Sequence, residues 1–306
     1  MTLSESGVLA VFTRSLALRF YTIPPSLGHS LPSEGASTST APTEAPLLPL
    51  IRHTPRSHPA PVLVSTIDPT STLLASGSAD GLVKVWDLAG GFVTHVFRSH
   101  GGPISAMCFN LPRFGPAKGS RMELITGCAD TKVRVFDLRD VGAGGRPRAV
   151  IEGHVSVVRG LGVTDEGRWL VSGGRDKVLM VWDLWGGDEN GWERLAGAVG
   201  DGSGGAAAAK KKGKSKAVEV QLVRTITVLE SLESVGVLGR DEHVAGLEGP
   251  VGGRVVCWSA GEKGIVRAWN AVEGTQLATF RGAEGVNAVG AEELDEDEQR
   301  GIVAVS

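Results

Sequence analysis

The chain has 306 residues, of which 42% are hydrophobic and 21% charged, so it can bury a sizeable core and is not disordered throughout. Its formal charge of −3 at pH 7 argues against a protein that coats nucleic acid with its whole surface. The 43 glycines and 15 prolines favour many turns between short strands over long helices. Three scattered cysteines are too few for a disulfide framework or a zinc site, which indicates a reducing compartment.

The sequence contains no apolar run that approaches the length of a membrane span. Residues 1–21 carry Arg14 and Arg19 inside their apolar stretch, so they lack the continuous apolar centre of a secretory signal. We therefore expect a soluble, intracellular protein with no membrane partner.

Residues 1–25 predict a partial β unit, because Val8 to Ile23 aligns with a stronger repeat at Leu73 to Leu88 and places Tyr21 where that repeat has Trp86. Residues 26–60 are rich in Pro, Ser and Thr. Such a composition cannot bury enough apolar surface to order itself, so this range predicts a flexible insertion.

Residues 61–184 contain three units with one pattern: a short apolar strand, a small-residue step, an Asp turn, and an alternating strand that ends in aromatic–Asp–Leu. The turn residues Asp80, Asp130 and Asp176 are 50 and 46 residues apart. A propeller blade repeats at roughly 40–45 residues. One such sheet cannot bury both faces alone, so we expect neighbouring units to stack around an axis. The three units are Leu73–Leu88, Glu123–Leu138 and Leu170–Leu184.

A histidine precedes each of the later two units, at His100 and His154, while His53 and His58 are both candidates for the first. Gly-His, a turn Asp and a terminal Trp-Asp resemble the WD repeat, most fully at His154, Asp176 and Trp182. The resemblance implies an all-β fold, a WD40 β-propeller. We expect it to be incomplete, with three clear blades, one degenerate blade and partial blades at both ends.

The WD resemblance also implies a buried hydrogen-bond network rather than a nucleophilic triad, since an enzyme needs one site and these residues recur. In that network His154 would bond Asp176, with Ser172 and Trp182 completing the set. A second set departs from it because Phe136 has no N–H to donate. We therefore predict no catalytic residue, cofactor or metal site. The other positions expected in the networks are His100, Thr126, Asp130, Asp80, Trp86 and Trp269.

Residues 185–217 are Gly-, Ala- and Lys-rich and predict a second flexible insertion. Two interpretations of its lysines stay open: an RNA-contact or nuclear-import segment, or a solvated linker. The lysines are Lys210, Lys211, Lys212, Lys214 and Lys216.

Residues 218–306 predict a degenerate repeat followed by a partial blade. Ser259 to Asn270 places Trp269 at the position of Trp86, but Lys263 stands where the turn Asp is expected. The partial blade stops in Gly301 to Ser306, within a predicted strand. We therefore expect the chain to be a fragment of a longer propeller protein.

Five sequence segments are more specific than a generic WD repeat. Taken in chain order, they resemble the first propeller of the transducin-beta-like, small nucleolar RNA-associated WD-repeat proteins. They are Leu9–Tyr21, Ala75–Phe109, Val171–Leu184, Thr227–Leu238 and Ser259–Asn270.

This second resemblance implies a non-catalytic scaffold of the UTP-B module of the small-subunit processome, acting in nucleolar pre-rRNA processing and 40S ribosome biogenesis. The implied partners are other WD-repeat subunits, with pre-rRNA and small nucleolar ribonucleoprotein contacted mostly indirectly and no small-molecule substrate. The alternative is a generic WD-repeat adaptor. Phe136 to Arg139 resembles the signature of substrate receptors of a cullin ubiquitin ligase.

Overall fold

The computed structural model describes residues 1–4, 6–23, 48–111, 121–139, 145–185, 220–238 and 255–281. This part of the chain contains β-strands and no helix, so no helix in it is long and apolar enough to cross a membrane. The strands in chain order are β1 Thr2–Leu3, β2 Val8–Phe12, β3 Leu18–Thr22, β4 Leu50–Thr54, β5 Val62–Ile67, β6 Leu73–Ser78, β7 Val83–Asp87, β8 Val93–Phe97, β9 Ile104–Asn110, β10 Glu123–Cys128, β11 Val133–Asp137, β12 Ala149–Ile151, β13 Val158–Val163, β14 Trp169–Gly174, β15 Val178–Asp183, β16 Gln221–Thr227, β17 Leu232–Leu238, β18 Val256–Gly261, β19 Ile265–Asn270 and β20 Thr275–Arg281.

The strands form five antiparallel sheets, each of four consecutive strands in chain order. The first strand of each sheet is its innermost, and β1 packs on β5, β5 on β9, β9 on β13 and β13 on β17. Among the described residues no comparable packing joins β17 to β1, so the propeller is not closed by them. The predicted all-β propeller class is confirmed.

At the junction of the fourth and fifth sheets the innermost strands lie so close together that two positions of β13 have no room for a side chain. A Cβ added to Gly160 would lie 2.4 Å from the backbone nitrogen of Val235, and one added to Gly162 would lie 2.8 Å from that of Val237. The sheets widen outward from this axis, and each gap is filled by apolar side chains of both neighbours. Four core clusters result, one in each gap between consecutive sheets.

The structure differs from the prediction at residues 1–60, where a partial blade and an insertion were expected. The first sheet has four strands, because β4 pairs with β3 beyond residues 24–47 and aligns Leu18 with Thr54. Leu50 and Ile51 are both exposed, so this strand has no alternation that the sequence could reveal within its Pro-rich surroundings.

The predicted boundary at residue 218 also falls in the wrong place. Strand β16 completes the fourth sheet, with Val178 opposite Thr227, instead of opening the next unit. The fifth sheet is likewise complete, because β20 pairs with β19 and aligns Val266 with Phe280. Most of the two predicted insertions, and the predicted strand at Gly301 to Ser306, lie outside the described residues.

The residue after the turn aspartate takes a left-handed conformation in three sheets, at Gly81, Thr131 and Lys177, with φ values of 79°, 70° and 65°. Only glycine adopts this region without strain, and a β-branched residue is the least suited to it. We expect Thr131→Gly to raise the free energy of unfolding by about 0.5–1 kcal/mol. Lys177→Gly should raise it less, and denaturant titration measures both. An unchanged or lowered value for Thr131→Gly would contradict the strain argument.

Candidate functional site: hydrogen-bond networks beneath one loop face

The fourth sheet contains the most complete network. His154 Nδ1 lies 2.8 Å from Asp176 Oδ2, and His154 Nε2 lies 2.8 Å from Ser172 Oγ. The Trp182 indole N–H donates to the same Ser172 Oγ at 2.9 Å, and the backbone N–H of Val155 donates to Asp176 at 3.0 Å. Since a carboxylate only accepts, His154 Nδ1 donates to Asp176. The side chains of His154 and Asp176 are 1% and 2% exposed, so the loop before β13 is fastened to the β14–β15 turn away from water.

In the second sheet the histidine of the network is His58 and not His53. His58 Nε2 lies 2.7 Å from Ser76 Oγ, and the Trp86 indole N–H donates to that oxygen at 2.9 Å. Asp80 instead accepts hydrogen bonds from the Ser78 hydroxyl and, at 3.0 Å, from the backbone N–H of Leu82. The turn aspartate therefore holds its own turn and does not reach the histidine.

In the third sheet the histidine still contacts a hydroxyl group, but the carboxylate of the turn binds an arginine. His100 Nε2 lies 2.7 Å from Thr126 Oγ1. Arg134 donates to both oxygens of Asp130, at 3.1 and 2.8 Å. Burial acts to raise the pKa of Asp130, but hydrogen bonds from Arg134 and from a backbone N–H outweigh it and hold the pKa below its usual range. Phe136 donates no hydrogen bond and stacks on Phe97 with ring centroids 4.1 Å apart.

The fifth sheet replaces the histidine–aspartate pair altogether. The Trp269 indole N–H still donates to a serine, Ser259, at 2.9 Å. Lys263 occupies the turn and is exposed. The buried carboxylate is Glu230, from the loop before β17, and Arg267 of β19 donates to it. The loop is thus fastened to the sheet by an ion pair.

The side chain two residues before the terminal aromatic accounts for these differences. Where it is a cation, that cation binds a carboxylate or a loop carbonyl: Arg134 binds Asp130, Arg267 binds Glu230, and Lys84 Nζ donates to a backbone carbonyl at 2.5 Å. Where it is Met180, the histidine keeps the aspartate. The sequence analysis did not identify this position, although the sequence shows that its residue type differs among the repeats, as Lys, Arg or Met. The four residues are Lys84, Arg134, Met180 and Arg267.

The networks support a face formed by the loops that enter each innermost strand. Val155 follows His154 and is 84% exposed, and Leu229 precedes Glu230 and is 85% exposed. In the innermost strands that follow these loops, Arg159 Nε of the fourth sheet donates to Glu233 Oε2 of the fifth at 2.9 Å. We call Val155, Leu229 and this ion pair the loop face. It presents apolar and charged groups on a fixed base, which suits it to contact another macromolecule.

The chemistry of this region is that of packing and hydrogen bonding. Within the described ranges, no group of three or more His, Cys, Asp or Glu side chains is placed to hold a metal ion. A cavity of about 200 Å³ lies near the opposite ends of the innermost strands, against Asn110 and Thr164. The lysine run that begins at Lys210 lies outside the described residues.

Comparisons with known proteins agree with the repeats. The family model of the WD domain, G-beta repeat, matches residues 51–87, 91–137 and 145–183. Each match begins before or within the outermost strand of one sheet and ends in the third strand of the next. The histidine therefore lies between two sheets, where it can fasten the loop that joins them.

The proteins to which the chain is similar include some from animals and fungi. It is 30% identical to transducin beta-like protein 3 of Bos taurus over 217 residues, which are 71% of this chain and 22% of that protein. It is 35% identical to U3 small nucleolar RNA-associated protein 13 of Saccharomyces cerevisiae over 131 residues, 41% of this chain and 15% of that protein. It is 32% identical to nuclear distribution protein nudF of Aspergillus niger over 133 residues, 44% of this chain and 28% of that protein. The chain thus spans about a fifth of the transducin beta-like relative.

The difference between the turn aspartates gives a direct test of the networks. Asp176→Ala leaves the buried His154 Nδ1 without an acceptor, so we expect a loss of about 2–3 kcal/mol in the free energy of unfolding. Asp80→Ala removes only turn contacts, so its loss should be about 1 kcal/mol. Denaturant titration of both variants measures the difference, and equal losses would contradict the assigned network.

The two histidines without a carboxylate partner predict a pH dependence. Burial, followed in size by the charge of Lys84, lowers the pKa of His58 to about 4. Burial and then Arg134 lower the pKa of His100 to about 4. Both folded-state pKa values lie below the unfolded value of about 6.5, so the stabilisation is complete above about pH 6.5 and is lost as the pH falls through 4. The free energy of unfolding should fall over this window. His58→Gln with His100→Gln should flatten the fall, and an unchanged slope would contradict the assignment.

Proposed function

This chain is a WD40-repeat protein, and from that premise we propose that it is a non-catalytic docking scaffold that acts in ribosome biogenesis. The similarity to transducin beta-like protein 3 over 71% of the chain, joined by that to a U3 small nucleolar RNA-associated protein, supports this role. The more specific proposal is a subunit of the UTP-B module of the small-subunit processome, located in the nucleolus.

The observation that carries the scaffold proposal is that the buried histidine, serine and aspartate side chains hold the fold together by hydrogen bonds. Both ring nitrogens of His154 are hydrogen-bonded, to Asp176 and to Ser172, and the histidine and the carboxylate are shielded from water, so this set does not offer a nucleophile to a substrate. Related sets recur in neighbouring sheets with altered members, which suits a structural element that is used once per blade. The groups left exposed are apolar and charged side chains on the loop face, which suit protein contacts.

We propose other WD-repeat subunits as the direct partners of the loop face, with pre-rRNA contacted mostly indirectly. Two exposed aliphatic side chains and an ion pair on neighbouring sheets suit a protein interface better than they suit a phosphate backbone.

The second candidate is a generic adaptor, for example a receptor of a cullin ubiquitin ligase. Arg139 of the Phe136 to Arg139 motif is half-exposed, with its Nε 3.5 Å from the carboxylate of Asp137. The chain is also similar to nuclear distribution protein nudF, whose name does not refer to small nucleolar RNA. The partners recovered from cells distinguish the two candidates.

The decisive experiment is affinity purification of the endogenously tagged protein, read by mass spectrometry, from parallel wild-type and variant cells. We expect UTP-B subunits with the wild type. Val155→Asp with Leu229→Asp should reduce their recovery by about fivefold or more while leaving the melting temperature unchanged, since both side chains are exposed. Val150→Asp on outermost strand β12 is the matched control, because Val150 is an exposed aliphatic residue away from the loop face.

The outcomes of this purification separate the two candidates and test the loop face. Recovery of cullin-ligase components instead of UTP-B subunits would favour the adaptor. Equal recovery of UTP-B subunits with both variants would remove the loop face as the docking site while leaving the scaffold role standing.

The lysine run gives an independent test of the RNA-contact or nuclear-import proposal. Glutamine at all five positions removes the charge that would bind phosphate or an import receptor, so RNA crosslinking or nucleolar accumulation should fall. Unchanged crosslinking and location would identify the run as a solvated linker. The positions are Lys210, Lys211, Lys212, Lys214 and Lys216.

A further inference from the structure

The β14–β15 turn of the fourth sheet lies between the two exposed aliphatic residues of the loop face. On one side, the backbone N–H of Arg175 donates at 3.0 Å to a carbonyl of the loop that carries Val155. On the other side, the backbone N–H of the residue before Leu229 donates to the carbonyl of Lys177 at 2.8 Å. These two bonds fasten a loop of the fourth sheet and a loop of the fifth sheet to one turn.

Two cationic side chains of this turn extend into solvent. Arg175 and Lys177 are both exposed, and we call them the turn cations. The carboxylate of Glu233 lies 3.6 Å from Arg175, but it is bound more closely by Arg159, whose Nε donates to it at 2.9 Å. Among the described residues, no side chain binds the Lys177 ammonium. The turn therefore retains N–H donors that the fold does not use.

Asp176, between the turn cations, faces inward. Its side chain is 2% exposed, and its Oδ2 accepts hydrogen bonds from His154 and from the backbone N–H of Val155. The turn thus buries its carboxylate and exposes its two cations.

The fold itself does not require these cations. In the second, third and fifth sheets neither residue that flanks the equivalent turn position is cationic. Lys177 also takes a φ of 65°, in the left-handed region that glycine adopts without strain. A lysine held in that conformation, with its ammonium in solvent, points to a use at the surface. The equivalent flanking pairs are Ala79 and Gly81, Ala129 and Thr131, and Glu262 and Gly264.

The surroundings of the turn cations favour a short acidic segment over a phosphate backbone. Val155 and Leu229, which are 84% and 85% exposed, offer apolar contacts on the two sides of the turn. The exposed acids Glu152, in the loop before Val155, and Glu262, in the turn of the fifth sheet, would repel the repeated charges of RNA. Two cations between two aliphatic side chains instead match a segment whose carboxylates are flanked by apolar residues.

We propose that the turn cations bind the carboxylates of an acidic segment of a partner protein, and that Val155 and Leu229 contact apolar residues of the same segment. The Arg175 guanidinium can donate two parallel hydrogen bonds to one carboxylate, and the Lys177 ammonium binds a second one as a point charge. The inference rests on the proposed docking function of the loop face and specifies the chemistry of its partner.

The first test treats the complex, purified with the endogenously tagged full chain, with a water-soluble carbodiimide. This reagent joins an amine to a carboxylate that it contacts directly, so we expect mass spectrometry to find Lys177 joined to an Asp or Glu of a partner protein. Lys177→Arg keeps the positive charge but removes the amine. The crosslink should therefore disappear in this variant while the recovery of partners is unchanged.

The second test reverses the charge of the turn. Arg175→Glu with Lys177→Glu brings like charges together at the contact, so the recovery of partners should fall by about tenfold or more. The melting temperature should be unchanged, because both side chains are exposed. Arg19→Glu with Arg146→Glu is the matched control, since it changes the net charge equally at exposed positions away from the turn, and it should leave the recovery unchanged.

The outcomes separate this proposal from the docking function on which it rests. If Val155→Asp with Leu229→Asp lowers the recovery and the charge reversal does not, the acidic segment is wrong and docking at the loop face stands. Equal losses with the charge reversal and its control would also overturn the acidic segment. Release of the partners by ribonuclease, with RNA crosslinked to the turn by ultraviolet light, would identify a nucleic acid in its place. Recovery of no partner with the wild-type chain would overturn both proposals.

Discussion

The hydrogen bond from an indole N–H to a serine hydroxyl is the contact on which the loop face depends. It has the same length, 2.9 Å, from Trp86 to Ser76, from Trp182 to Ser172 and from Trp269 to Ser259. The bond joins the second and third strands of a sheet in its buried interior, where an unpaired donor would be costly. In two of these sheets it also presents the serine hydroxyl to a histidine from the incoming loop.

Among the network residues, the carboxylate differs most from sheet to sheet. Its partner depends on whether a cationic side chain lies nearby. A buried carboxylate needs a donor, and the closest cation provides the strongest one. Arg134 binds Asp130, and the His100 ring contacts the Thr126 hydroxyl instead; burial, followed by the charge of Arg134, lowers the pKa of that histidine. Met180 offers no charge, and there the histidine keeps Asp176. The fifth sheet reverses the arrangement, with the anion on the loop and the cation on the strand.

These networks connect the fold to its proposed use. They place titratable groups in the interior, where those groups fasten loops to sheets, and they leave the loop tips free to carry other side chains. Such an arrangement favours docking over catalysis, because the surface can vary from blade to blade while the support beneath it is kept. The ion pair between Arg159 and Glu233 joins the innermost strands of two neighbouring sheets.

Local patterns of alternation and turn residues identify the fold class and the WD repeats, and the resemblance to a WD repeat implies the network around His154. The packing of the sheets brings His58, and not His53, to Ser76, and it makes Leu50 to Thr54 the outermost strand of the first sheet. It also decided that Glu230 replaces the turn aspartate. Each of these choices depends on which loop or strand packs against which sheet, a property that no local pattern contains.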